Sequence, residues 1–195
     1  MNAKPLKIHS LLLISLMALA CTEKTKQTTP ASQLPTSGDF RKGEYFNDST
    51  SHKDSAFFYF NNVTETSGDS LLAGMAYAYM ATIQSDAGDF FGAQETALAG
   101  INLLVESNPE HLYCLASLYN VLGRSNLGLR DYDNAADYFR QALKLQPYEG
   151  YKNLLRNNIA VALRDKGDYA GALRELNSIV PEQTDGKAEQ ARRIT

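Results

Sequence analysis

The sequence is poor in the residues that build metal sites and disulfide frameworks. It has two cysteines, Cys21 and Cys114, and three histidines, too few for a disulfide scaffold or a structural zinc site. His9 falls in an N-terminal leader, and His52 and His111 have no cysteine or carboxylate partners at metal-ligand spacing. His111, just after Pro109-Glu110, reads as a packed or solvated residue at a helix start. Asp131-x-Asp133 opens like a calcium loop, but Ala136 and Ala142 stand where such a loop needs its turn glycine and its bidentate glutamate. Glycine-rich phosphate loops, Gly-x-Ser-x-Gly elbows and His-Glu-x-x-His motifs do not occur. These absences predict no metal, no cofactor and no enzyme activity. Positive charge is also short: 19 Lys plus Arg stand against 22 Asp plus Glu, for a net charge of -3. Loss of a leader carrying Lys4 and Lys7 makes the chain more acidic still. Phosphate-backbone binding needs clustered positive charge, so nucleic acid is not an expected partner. With 195 residues, 44% hydrophobic and only 6 prolines, there is material for one core or one short repeat array, not for two large domains.

No long hydrophobic run is present either. The apolar run Leu11 to Ala20 is about half of the ~20 residues that a membrane-crossing helix needs. With its basic start (Lys4, Lys7) and the small residues Ala18 and Ala20, the segment 1–20 reads as an export signal. Cleavage after Ala20 makes Cys21 the first residue, and Ala18-Leu19-Ala20-Cys21 resembles the lipobox of bacterial lipoproteins, with Ala18 where that motif usually has Leu. The resemblance implies lipid attachment at Cys21, palmitate included, and anchoring to a membrane of the bacterial envelope, with the outer membrane as the expected one. More than one acyl chain is implied, and that matters because a single chain gives only marginal binding. The competing reading is ordinary signal cleavage at the same place, with Cys21 a free thiol. Residues 22–40 are mostly Thr, Ser, Gln, Lys and Pro, with almost nothing to bury, so 21–50 is expected to be a disordered polar tether. Fully extended, residues 22–40 reach about 60 Å. The implied compartment is oxidising, and there Cys114 has no intramolecular partner.

From about residue 54 the hydrophobic period is helical, and landmarks repeat. Three corners recur: Gly88-Asp89-Phe90, Arg130-Asp131-Tyr132 and Gly167-Asp168-Tyr169. In the two Gly-Asp corners glycine can end one helix in the left-handed conformation and aspartate can cap the next. Five residues after the start of each corner stands an alanine (Ala93, Ala135, Ala172), small enough for close helix approach. Four and seven residues beyond lie Ala97 and Gly100, Phe139 and Ala142, and Leu176 and Ile179, one face of a helix by spacing.

The helix before each corner carries a matching pattern. In the middle unit it is Tyr119-x-x-Leu122-Gly123-x-x-Asn126, followed by Ala135, Phe139 and Pro147. This resembles the tetratricopeptide repeat (TPR) family, whose units read Trp-x-x-Leu-Gly-x-x-Tyr, Ala-x-x-x-Phe, Pro. The flanking units match more loosely, at Tyr77, Met80, Ala81 and Ala93, and at Arg156, Ile159, Ala160 and Ala172. The corners are 42 and 37 residues apart, against the family's 34. The surplus of the first interval is expected to lengthen helices around Asn108-Pro109. Ala56, Phe60 and Val63, behind a candidate cap at Asp54, read as the second helix of a partial N-terminal repeat. The stretch Asp39 to Lys53 reads as too polar and short to be its full partner.

The fold expected is all-α, a TPR-like α-solenoid of about three helix-turn-helix repeats plus that partial repeat, covering 54–182. Residues 183–195 are expected to be a polar C-terminal cap or the start of a further repeat. The resemblance implies a groove lined by the first helix of each unit. In this chain its positions are Ala78, Thr82 and Ser85; Asn120, Arg124 and Leu127; Asn157, Val161 and Arg164. Asn120 and Asn157 recur at one place, where an amide can both donate to and accept from a peptide backbone, and Arg124 and Arg164 can fork onto a carboxylate. The lysines used by the carboxylate-clamping members are missing. Tyr77, Tyr119, Phe90, Tyr132 and Phe139 occupy packing positions and are expected in the core. The function implied is a protein- or peptide-binding adaptor or scaffold in an envelope assembly. The alternatives are glycan capture, for which exposed aromatic platforms are not evident in the sequence, and a sensory repeat module of a signalling system.

Overall fold

The computed structural model describes residues 37–48, 52–146 and 148–179. The expected leader, Cys21 and most of the expected tether lie outside the described residues, as do Pro147 and the segment 183–195. The described residues form eight helices and no strand: α1 (Gly38–Asn47), α2 (Lys53–Thr66), α3 (Ser70–Asp86), α4 (Phe90–Ile101), α5 (Leu112–Gly128), α6 (Tyr132–Leu145), α7 (Glu149–Lys166) and α8 (Tyr169–Asn177). Each packs mainly on its neighbours in sequence, and α5 also packs on α3 and α7. This is a TPR-like α-solenoid of helix pairs, α1/α2, α3/α4, α5/α6 and α7/α8.

The corners form as their chemistry requires. The aspartate of each accepts a backbone N–H three residues on: Asp89 from Gly92 at 3.0 Å, Asp131 from Asn134 at 3.3 Å and Asp168 from Gly171 at 2.8 Å. The preceding residue is left-handed in all three, Gly88 at φ 82°, Gly167 at φ 97° and Arg130 at φ 64°. Only at Arg130 does a side chain bear the strain that glycine avoids.

Packing within a pair explains the small residue of the first helix. A Cβ on Gly123 would lie 2.5 Å from the ring of Phe139, so the Gly123–Phe139 contact locks α5 to α6. A Cβ on Gly43 would likewise lie 2.7 Å from the ring of Phe60. Thus α1 and α2 repeat the lock of the middle unit. This corrects the sequence reading of residues 39–53: α1 is a true first helix, capped by Ser37 through the Phe40 N–H and buried through Phe40 and Gly43. The tether as expected therefore runs too far, since 38–47 is helix. Asp54 lies in the first turn of α2, and the cap position belongs to His52.

Two further boundaries differ. Helix α4 ends at Ile101 and α5 starts at Leu112, so the surplus of the first interval is a connecting segment rather than extra helix. His111 holds that segment: it is buried, and its Nδ1 accepts the Val105 N–H at 3.0 Å. Helix α8 ends at Asn177, so Ile179 falls past the helix rather than on its stripe.

Between pairs, the contact is also repeated. Ala76 and Met80 of α3 pack with α1 and α2, Leu118 and Leu122 of α5 pack with α3 and α4, and Leu155 and Ile159 of α7 pack with α5 and α6. Each first helix thus seats a pair of apolar residues, four apart, on the preceding unit.

Candidate functional site

The first helices α3, α5 and α7 lie side by side, and a cleft of about 310 Å³ opens among them. Its apolar lining comes from Met75, Ala78, Cys114 and Val121. Each first helix adds one tyrosine, Tyr79, Tyr113 and Tyr151, and the polar lining is Thr82, Ser117, Asn120 and Arg124. Four of the expected groove residues, Ala78, Thr82, Asn120 and Arg124, are therefore brought together. Asn157 and Arg164 are not among them: they line a separate cleft of about 260 Å³ between α7 and α8.

The polar side chains of the first cleft are already engaged. Thr82 donates its hydroxyl to the Ala78 carbonyl at 2.8 Å, and Ser117 to that of Tyr113 at 3.0 Å. Asn120 is buried, and its Oδ1 accepts from Asn158 Nδ2 at 3.0 Å. The expected equivalence of Asn120 and Asn157 is corrected by this geometry: Asn120 ties α5 to α7, whereas Asn157 is exposed. Arg124 pairs with Asp86 and Arg164 with Asp165. Exposed pairs of this kind are worth ~0–1 kcal/mol, so a ligand carboxylate would have to displace Asp86 rather than meet a free cation.

Burial raises the Tyr151 phenol above its ordinary range, and burial, followed by the nearby Glu44 carboxylate, raises that of Tyr79. The Cys114 thiol is pushed up to about 12 by burial, which keeps it protonated and unreactive at neutral pH. The cleft offers two kinds of contact. Aromatic and aliphatic faces can take an apolar side chain, and a rim of hydroxyl and amide groups can meet a peptide backbone. Among the described residues, no group of three or more histidine, cysteine or carboxylate side chains could hold a metal ion.

The tyrosines were missed by the sequence reading. The expected groove stripe begins at Asn120, yet the same face continued toward the start of α5 passes through Ser117 and Tyr113, and on α3 from Ala78 to Met75. Tyr113 and the neighbouring Tyr148 are both exposed, with ring centroids 6.1 Å apart and edge to face, and Tyr151 lies 6.0 Å from Tyr113. Exposed aromatic surface is thus present where none was expected. The residues expected in the core behave differently: Phe139 is fully buried, and Tyr77 and Tyr119 pack partly buried against core clusters.

The middle unit carries the match to a known family. Residues 116–149 match the profile of the tetratricopeptide repeat family. This stretch is a tetratricopeptide repeat. It runs from within α5, through the Gly123–Phe139 lock, to the first residue of α7, and the TPR is a protein-interaction module. No curated protein matches the chain.

Proposed function

We propose that this chain is a lipid-anchored TPR adaptor of the bacterial cell envelope, without enzyme activity, that holds a protein or peptide partner in the cleft among α3, α5 and α7. The observation that carries the proposal is the cleft itself, lined by three successive first helices with one tyrosine each. The anchor rests on Ala18-Leu19-Ala20-Cys21 and the polar segment after it. Acylation of Cys21 tethers the repeats to a membrane, the outer membrane in this reading, and none of the described helices is long and apolar enough to cross one.

Two measurements test the two halves separately. Cys21→Ser should move the protein from the membrane to the soluble fraction, and unchanged fractionation would refute the anchor. Crosslinking capture from intact envelopes should recover a partner with the wild type and lose it with Tyr113→Ala/Arg124→Ala, whose side chains are exposed or partly exposed and leave the core intact. Capture undiminished in that variant would remove the cleft from the function. The exposed Tyr113–Tyr148 pair favours glycan capture as the second reading, since sugar rings stack on aromatic faces. A glycan array bound by wild type and not by Tyr113→Ala would select it over the adaptor.

A further inference from the structure

The second cleft leads beyond peptide binding at the first. Its lining, Asn157, Ala160, Val161, Tyr169, Leu173 and Leu176 among others, stands 37 residues after Asn120, Gly123, Arg124, Tyr132, Ala136 and Phe139 of the middle unit. In the middle unit Ala136 and Phe139 share a buried cluster with Leu155 and Ile159 of α7, and Asn120 accepts a hydrogen bond from Asn158, so this face is the seat on which α7 packs. Ala136 and Phe139 are 2% and 0% exposed there, while their counterparts Leu173 and Leu176 are 59% and 45% exposed. Three units of the array carry a helix on this seat, with residues four apart at the contact: Ala76 and Met80, Leu118 and Leu122, Leu155 and Ile159. In the fourth unit none of the described helices fills it.

The chain's own residues are poor candidates to fill it. Repeating the contact at the 37-residue interval that separates Leu118 and Leu122 from Leu155 and Ile159 places Arg192 where α7 has Leu155, and an arginine there would bury its charge. A second copy joined head to tail fares no better. Aligned on the Gly43 and Gly123 locks, its α1 would present Arg41 and Lys42, both exposed, where α7 presents Asn158 and Ile159. The beginning of the array is polar at these positions and its far end is apolar.

We propose that the α7/α8 face is a second docking site, which accepts an amphipathic helix of a partner protein bearing two branched aliphatic side chains four residues apart. The partner helix would lie on α7/α8 as α7 lies on α5/α6, with an amide at the position of Asn158 to meet Asn157. Binding here is independent of the first cleft, so one chain can hold two segments at once.

The test uses a labelled peptide of residues 148–166, the sequence that fills the equivalent seat, titrated by fluorescence anisotropy into the full mature chain. Saturable binding is expected. It should weaken by about tenfold or more with Leu173→Glu, because a carboxylate would be pressed against apolar side chains. It should weaken similarly with a Leu155→Arg peptide and be unchanged by Tyr113→Ala in the first cleft. Since Leu173 is largely exposed, Leu173→Glu should keep wild-type helicity. Absent binding, or binding indifferent to Leu173→Glu, would overturn the proposal. Binding that emerges only after removal of residues 180–195 would assign the seat to the chain itself. Dimerisation lost with Leu173→Glu would assign it to a second copy, and either result overturns the partner helix.

Discussion

The middle and C-terminal pairs have the same plan and opposite fates. Both have a corner capped by aspartate, a buried alanine five residues after the corner begins, and a large residue four further on. In α5/α6 the large residue is Phe139 over Gly123, buried beneath the next helix, whereas in α7/α8 it is Leu176, which lines the second cleft with Ala160 and is left nearly half exposed. In a solenoid each unit depends on its neighbours for burial, so a residue's contribution is set by the helix packed over it as much as by its own identity.

The largest expected effect comes from that contrast. Phe139→Ala should lower unfolding stability by about 3–5 kcal/mol, as a cavity under a fully buried ring does, and Leu176→Ala by about 1 kcal/mol or less. Equal losses in urea titrations would mean that the terminal seat is covered in solution. Next comes the amide link. Asn158→Ala leaves the buried Asn120 oxygen without its donor and should cost about 1–2 kcal/mol, while Asn157→Ala should be close to neutral. A reversed order would break the assignment of Asn120 as an inter-repeat tie.

The corners give a smaller and sharper contrast. Gly167→Ala puts a side chain on a left-handed residue and should cost about 1 kcal/mol, and Arg130→Gly relieves the same strain and should gain about 0.5 kcal/mol. A loss from Arg130→Gly would show that its side chain makes a compensating contact.

The weakest expected effect is on alkaline stability. The folded Cys114 thiol is raised to about 12 by burial, so its contribution is fully present below the unfolded thiol's value of ~8.5 and is lost as pH rises from there toward the folded value. Thermal scans above pH 8.5 should fall less steeply in Cys114→Ala than in wild type. The raised phenols of Tyr79 and Tyr151 leave a remaining slope above about pH 10. Parallel slopes in the two proteins would remove Cys114 from the account.

Local chemistry made much of this fold legible. A glycine or its substitute followed by aspartate marks a corner wherever it stands, and alanines at fixed distance from a corner mark where helices cross. The first helix α1 escaped notice because its signal is a long-range contact: Gly43 matters only once Phe60 is over it, and the surrounding Arg41, Lys42, Glu44 and Asn47 read as solvated. The segment 102–111 was misjudged because proline at a helix start is a local signal, while the burial of His111 against the Val105 N–H is not. At the cleft, spacing found Thr82, Asn120 and Arg124 but not which of their groups were already bonded. It misses Tyr113 and Tyr151 because the expected stripe begins at Asn120 and Asn157, about two turns after each tyrosine.

The central claim is that the face built from α3, α5 and α7 holds the partner. A photoreactive amino acid placed at Tyr113, in the cleft, and in a second protein at Glu95, on the exposed surface of α4, tests it most directly in intact envelopes. The account predicts a discrete crosslinked partner from position 113 and none from position 95. The same partner captured equally from both positions, or from position 95 alone, would contradict it.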